Sequence, residues 1–232
     1  MKIAYRYRDG HGPVIFFLPG YMSDMLGGKA TALDAWAAEN GRAMVRLDYS
    51  GCGESGGRFE DGTLDIWCDD VLAVIDAVTN IPVQLVGSSM GGWLAVLVGE
   101  ALGTQLDAMV GIAAAPDFTD WGYSDAEKAE IVDKGVVFQP SDYGYDDMPT
   151  HRAFWESGGA NGVLDSQINI ECPVRLLHGQ ADNDVPWQTS LRLAEALRSS
   201  DVQTMLIKDG DHRLSRDQDI ALLIETMAKL AR

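Results

Sequence analysis

The sequence predicts an α/β fold, built as a mostly parallel sheet of about seven strands with helices on both faces. Short apolar runs alternate with longer amphipathic segments along the 232 residues, which is the pattern of β–α–β units. The apolar run Val83–Val86 leads into Gly87-Ser88-Ser89-Met90-Gly91, a G-x-S-x-G turn between a strand and a helix. Asp182 and His212 each follow a later apolar run, where the carboxyl ends of parallel strands would bring them together.

The first half of the chain predicts three strands and two helices before that turn. Residues 2–8 alternate apolar and polar side chains, which indicates an edge strand. The fully apolar run 14–18 indicates a central strand, and 43–47 indicates another. The alanine-rich stretch 27–40 and the amphipathic stretch 63–79 predict helices.

The alternation of predicted strands and helices continues to the end of the chain, so we expect a single domain over residues 1–232. The remaining elements are predicted as strands at 83–86, 106–115, 174–177 and 202–207 and as helices from Met90, at 187–199 and at 217–231.

Residues 117–170 interrupt the alternation of strands and helices. They hold eight aromatic residues, many acids and few bases. Long insertions in α/β folds are often functional, so this segment is predicted to be a short lid. A surface excursion with its own small core is the alternative.

Composition and charge narrow the functional classes. A hydrophobic content of 46% with 23% charged residues is typical of a soluble globular protein. The net charge of −17 argues against nucleic-acid partners. Three cysteines without framework spacing indicate a reducing compartment, and no zinc spacing or membrane-length apolar run is present. We expect no metal and no cofactor, and the oligomeric state is left open.

The G-x-S-x-G pattern occurs twice, and context separates the two copies. Ser89 lies between an apolar strand and an apolar helix, whereas Ser55 is followed by a polar loop. Gly51 to Gly56 also matches the dinucleotide pattern G-x-G-x-x-G, but no helix follows to bind a pyrophosphate. An oxidoreductase using that loop is therefore a minor hypothesis.

A serine nucleophile needs a base, and the base needs an acid that orients it. His212, in the loop after the last strand, is the predicted base, because His178 lies inside a strand end, where a histidine more often packs or bonds to the backbone. Asp182 is the predicted acid, with Asp184 as its rival.

Two backbone amides are the predicted oxyanion hole. The amide of Met90 opens the helix after Ser89, and the amide of Tyr21 follows the first central strand at Pro19-Gly20-Tyr21. The side chain of Tyr21 is an additional candidate for lining the pocket.

Together these motifs resemble the α/β-hydrolase superfamily over essentially the whole chain. The matching segments are Leu18-Pro19-Gly20-Tyr21, Asp48 to Ser55, the Ser89 elbow, His178-Gly179 through Asp182 to Trp187, and Gly210-Asp211-His212. The sequence departs from the common pattern by having Ser88 before the nucleophile and by lacking the first of the usual eight strands.

Three segments, Pro19 to Ser23, Ser88 to Trp93 and Val185 to Trp187, resemble a narrower group. It comprises the mitochondrial palmitoyl-protein thioesterases among the α/β-hydrolase-domain proteins, which also cleave acyl glucuronides, and their bacterial relatives. The resemblance implies hydrolysis of esters and thioesters beneath a short lid. The absence of a transit peptide favours a bacterial, cytoplasmic relative.

The predicted function is a serine hydrolase that cleaves carboxylic esters or thioesters of acyl substrates. The aromatic insertion favours an apolar acyl group, and its acidity disfavours strongly anionic leaving groups such as coenzyme A. A C–C bond or other acyl hydrolase of a degradative pathway is one alternative. A ligand-binding protein that has lost catalysis is the other, and the presence of Ser89, Asp182 and His212 argues against it.

Overall fold

A computed structural model describes residues 2–140 and 147–230. A seven-stranded sheet with the order β1-β3-β2-β4-β5-β8-β9 forms its centre. The antiparallel pairing of β1 with β3 places β1 at one edge, and the other pairs are parallel. The predicted α/β sheet is therefore confirmed. The strands of the sheet are β1 (Tyr5–Arg8), β2 (His11–Leu18), β3 (Arg42–Leu47), β4 (Val83–Ser88), β5 (Leu106–Ile112), β8 (Val174–Gly179) and β9 (Val202–Ile207).

Helices cover both faces of this sheet. They are α1 (Gly28–Glu39), α2 (Leu64–Val78), α3 (Met90–Leu102), α7 (Gln188–Ala196) and α8 (Asp217–Leu230). On one face, Trp67 of α2 and Trp93 of α3 are fully buried in the larger apolar cluster. On the other face, Leu33 of α1 and Met227 of α8 pack in a second cluster. Buried apolar area on both faces explains why the central strands read as continuous apolar runs.

Two elements end earlier than the sequence indicates. β5 stops at Ile112 and not at 115, because Ala113 takes a positive φ of 44° and turns the chain. α7 stops at Ala196 and not at 199, because Leu197 becomes extended and forms a parallel bridge with Ile168. Tertiary contacts decide both ends.

The described parts of the segment 117–170 pack as a small layer against the main body. Its elements are α4 (Phe118–Trp121), α5 (Asp125–Lys134), β6 (Val136–Gln139), β7 (Met148–His151) and α6 (Arg152–Ala160). β6 and β7 pair in antiparallel orientation, and Tyr123, Ile131 and Val137 form a separate buried cluster. The aromatic residues Tyr143 and Tyr145 of this segment lie outside the described residues.

Partly buried polar contacts close this segment at its base and attach it to the main body. The carboxylate of Asp117 accepts hydrogen bonds from the amides of Val163 and Leu164, which closes the segment at its base. Ser157 of α6 donates to Asp65 at the start of α2, at 2.6 Å. The rings of Trp67 and Phe154 pack 5.3 Å apart beside this contact. These contacts hold α6 against α2.

Candidate active site

Ser89 lies on a strained turn between β4 and α3. Its φ of 54° and ψ of −121° are unusual for a residue with a side chain. The turn is possible because of close backbone packing: a Cβ on Gly87 would lie 2.1 Å from the carbonyl oxygen of Gly91. A Cβ on Gly91 would lie 2.1 Å from the carbonyl oxygen of Leu18. The two glycines of the motif therefore let α3 approach β2 and β4 closely, which raises Ser89 above the sheet.

The structure brings Ser89, His212 and Asp182 into one hydrogen-bonded chain. Nε2 of His212 lies 3.0 Å from Oγ of Ser89, and Nδ1 of His212 lies 2.8 Å from Oδ2 of Asp182. The side chain of His212 is 15% exposed, and that of Asp182 is fully buried. Because Nδ1 faces a carboxylate, it carries the proton, and Nε2 is left free to accept the proton of Ser89.

Asp182 is held as a carboxylate by four donors. Burial raises its pKa, but hydrogen bonds from His178 and His212 outweigh this effect and lower the pKa well below its ordinary value. The amides of Asp184 and Val185 also donate to Oδ1, at 2.9 and 2.8 Å. Asp182 is therefore ionised throughout the neutral pH range.

His178 contributes a contact that sequence reasoning missed. It is fully buried at the end of β8, and its Nε2 lies 3.1 Å from both Oδ2 of Asp182 and the carbonyl oxygen of Val185. Its Nδ1 lies 2.7 Å from Oγ of Ser190. With two acceptors around it, Nε2 carries the proton, and Ser190 donates to Nδ1. The spacing of His178 and Asp182, four residues apart across a strand-end turn, is the signal that could have indicated the contact.

The two predicted oxyanion amides lie on segments that pack against Ser89. A helix leaves its first N–H groups without intrahelical partners, and Met90 is the first residue of α3. A Cβ built on Gly20 would lie 3.3 Å from Cβ of Ser89, so the segment that carries Tyr21 runs beside the nucleophile. The carbonyl of Gly20 accepts a hydrogen bond from the amide of Ser23, which closes this segment into a turn.

The side chain of Tyr21 points into an aromatic cluster and links the turn to the 117–170 segment. Its hydroxyl donates to the carbonyl oxygen of Pro149 in β7, at 2.9 Å. Its ring lies 4.7 Å from that of Phe154, 5.1 Å from that of Phe59 and 6.2 Å from that of Phe118. Burial also raises the pKa of its phenol. The aromatic residues of the insertion thus pack directly behind the candidate oxyanion hole.

Comparison with known proteins shows the family to which the chain belongs. The family model for serine aminopeptidase S33 hydrolases matches residues 11–130. The chain belongs to this family of α/β hydrolases. It is 40% identical to the human mitochondrial palmitoyl-protein thioesterase ABHD10 over 99% of this chain and 76% of the relative. The chain is a serine hydrolase of the ester- and thioester-cleaving class.

Solved structures of hydrolase-family members superpose closely on the chain. Mouse α/β hydrolase domain-containing protein 10 has a TM-score of 0.92 at 40% identity and covers 98% of this chain and 93% of its own. A protein from Agrobacterium vitis S4 has a TM-score of 0.94 at 41% identity and covers 99% of this chain and 93% of its own. The predicted resemblance to the superfamily and to the thioesterase group is therefore confirmed.

The same comparison corrects one expectation from the sequence. Mammalian relatives that are 40–42% identical over 99% of this chain are mitochondrial proteins, so the predicted cytoplasmic location is wrong. That prediction came from the pattern of the first residues and from the cysteine count, and neither describes the folded domain that these relatives share with the chain. Among the described residues, no helix is both long and apolar enough to cross a membrane.

The second G-x-S-x-G copy has structural contacts. Ser55 accepts a hydrogen bond from the amide of Ala4 and donates to the carbonyl of Asp48. The buried carboxylate of Asp48 accepts from the amides of Met25 and Glu54. A short 3₁₀ turn, Phe59–Asp61, follows this loop where a dinucleotide site would need a long helix. The loop therefore braces the segment that carries Tyr21.

Asp182, Asp184 and His212 also place one potential metal-ligand atom each within 4.8 Å of one another. Both nitrogens of His212 already contact side chains of the Ser89–His212–Asp182 chain. The carboxylate of Asp182 accepts from four donors. The geometry of this cluster suits proton transfer better than metal binding.

Proposed function

We propose that Ser89, His212 and Asp182 are the catalytic triad of a hydrolase that cleaves esters and thioesters of apolar acyl groups. One observation carries the proposal: the continuous hydrogen bonding from Oγ of Ser89 through His212 to the buried Asp182, at 3.0 and 2.8 Å. The strained turn at Ser89 presents this hydroxyl at the carboxyl edge of the sheet.

In the proposed reaction, Oγ of Ser89 attacks the acyl carbonyl while Nε2 of His212 takes its proton. The amides of Met90 and Tyr21 donate to the oxyanion of the tetrahedral intermediate. The imidazolium of His212 then protonates the leaving alcohol or thiol, which leaves an acyl-Ser89 ester. Water attacks this ester while Nε2 of His212 takes one of its protons, and the imidazolium then gives that proton to Oγ of Ser89 as the bond to the carboxylic acid breaks.

The surroundings of Ser89 support an apolar acyl group. The half-buried rings of Tyr21, Phe59 and Phe118 lie on the side of the oxyanion turn that faces the insertion. We assign the 117–170 segment as a short lid over this side, within a single domain that spans residues 1–232. The relative ABHD10 is a palmitoyl-protein thioesterase, and a fatty acyl thioester is the substrate class that we carry over from it.

The test is hydrolysis of p-nitrophenyl esters of increasing acyl length, beside matched acyl thioesters, by the native chain and by Ser89→Ala. Removing a triad nucleophile reduces kcat by about 10⁴-fold or more. We expect Ser89→Ala to keep its fold and lose turnover on both substrate series. The rate as a function of acyl length reports how much apolar chain the site accepts.

Ser55→Ala is the matched control, because Ser55 stands in the other G-x-S-x-G copy. It should keep kcat within a few-fold of the native value while the melting temperature falls, because two backbone partners lose their hydrogen bonds. Turnover that survives in Ser89→Ala, or vanishes in folded Ser55→Ala, would refute the choice of nucleophile.

A further inference from the structure

The segment that carries His212 is irregular and contains a strained residue. It connects β9 to α8, and Leu214 adopts a positive φ of 41°. Two hydrogen bonds near this segment are local: Asp211 accepts from the amide of Leu214, and Arg216 donates to the carbonyl of Asp209. These two contacts shape the loop, and the amide of Ala181, which donates to the carbonyl of Gly210 at 2.9 Å, joins the loop to the turn after β8.

Lys29 supplies a long-range tie. Its Nζ donates to the carbonyl oxygen of Arg213, the residue after His212, at 2.5 Å and across 184 positions of sequence. Lys29 lies in the first turn of α1, directly after the segment that carries Tyr21. One hydrogen bond therefore joins the loop of the proposed base to the helix that follows the proposed oxyanion turn.

Lys29 is partly buried, although its hydrogen bond to the Arg213 carbonyl is exposed to solvent. It borders a cavity of about 10 Å³, too small for more than a single water molecule, and Ile112, Leu177 and Leu214 also line that cavity. Burial first, and the charge of Arg213 second, together lower the pKa of Lys29 to about 8, against the opposing effect of Asp211 and Asp219. Asp219 is itself paired with Arg216. The ammonium of Lys29 therefore loses its charge as the pH rises through about 8.

We propose that Lys29 is a positioning residue, which holds His212 in line with Ser89 by binding the Arg213 carbonyl. This inference rests on the proposed function, because it assigns His212 as the base. A hydrogen bond from a charged donor is about twice as strong as one from a neutral donor. Loss of the charge loosens the tie, and a displacement of about 1 Å at a catalytic group costs up to about 100-fold in rate.

The native enzyme should therefore show an alkaline limb in kcat near the pKa of about 8 for Lys29. Lys29→Met removes the charge and preserves the apolar stem, so its kcat should be about 10- to 100-fold lower at pH 7, with that alkaline limb absent. Lys29→Arg keeps a charge at every pH used, so it should retain activity and move the limb upward. KM should change little, because Lys29 is not among the residues proposed to contact the substrate.

Lys134→Met is the matched control, since Lys134 is an exposed lysine that pairs with Glu130 on α5. It should leave the pH profile of kcat unchanged. An alkaline limb near pH 8 that persists in Lys29→Met, or an unaltered kcat at pH 7, would overturn the proposal.

A second readout separates this inference from the proposed function. A fluorophosphonate probe labels an activated serine whatever the natural substrate is, so its labelling rate reports the alignment of Ser89 with His212. Labelling that is slower in folded Lys29→Met than in the native chain would support the role of Lys29, even if all tested esters were poor substrates. Equal labelling rates in the two proteins would refute it.

Discussion

Replacement of His178 by leucine tests how far the buried groups behind Asp182 determine activity. His178 donates to the same Oδ2 oxygen that accepts from His212, at 3.1 Å against 2.8 Å. The change removes one of four donors to the Asp182 carboxylate. It also leaves the hydroxyl of the buried Ser190 without its partner.

The expected rise in the pKa of Asp182 follows from the negative charge of the carboxylate that accepts this hydrogen bond. A hydrogen bond to a charged group contributes about 1.5–3 kcal/mol, and about 1.36 kcal/mol corresponds to one pKa unit. The pKa of Asp182 should therefore rise by about one to two units from its lowered value, and Asp182 should remain ionised at neutral pH. With less of its charge neutralised, Oδ2 holds the imidazolium of His212 more strongly.

The assay is kcat/KM against pH on a p-nitrophenyl ester, together with thermal unfolding. The acid limb of kcat/KM reports the essential base of the free enzyme, and in His178→Leu it should move to higher pH. The unpaired Ser190 should cost about 1–3 kcal/mol. Each kcal/mol lowers the melting temperature by about 2–4 °C in a protein of this size.

His178→Gln is the matched variant, because its amide nitrogen can reach the position of Nε2 and keep a donor to Asp182. It should retain the native acid limb while losing some stability. An acid limb in the same place for the native chain and for folded His178→Leu would refute the reasoning, since the donor would then have no influence on the base.

Two further predictions concern the acid of the triad and the elbow. Asp182→Asn should lower kcat by about 10⁴-fold by favouring the wrong tautomer of His212, whereas Asp184→Asn should stay within a few-fold of native; steady-state kinetics of the two variants decide, and the reverse ranking would reassign the acid. Gly91→Ala should lower both activity and melting temperature, because its Cβ would lie 2.1 Å from the Leu18 carbonyl, at a cost of about 1–3 kcal/mol. Gly159→Ala is its control, since a Cβ there has no neighbour within 4 Å, and replacing a helical glycine gains about 0.5–1 kcal/mol; similar melting curves for the two variants would contradict the close approach at Gly91.

The sequence alone was enough to predict the architecture and to select the three residues of the proposed triad. Apolar runs separated by amphipathic stretches identify the buried parallel strands, since both faces of such a sheet are covered. Ser89, Asp182 and His212 could be selected because each follows an apolar run, and parallel strands present their carboxyl ends along a single edge. The glycines around Ser89 carried further information, because only glycine allows the packing at that turn.

Only the tertiary structure decided which side chains support the proposed triad. The contacts of His178 with Asp182 and of Lys29 with Arg213 depend on side-chain directions and on loops from separate parts of the chain. The early end of β5 at Ile112 likewise follows from the turn at Ala113 and from contacts with neighbouring strands. Hydrophobic periodicity in the sequence predicts which face of an element is buried, but it does not predict which polar atoms form hydrogen bonds there. Those hydrogen bonds depend on the packing of the whole domain, and they determine how the proposed base is positioned.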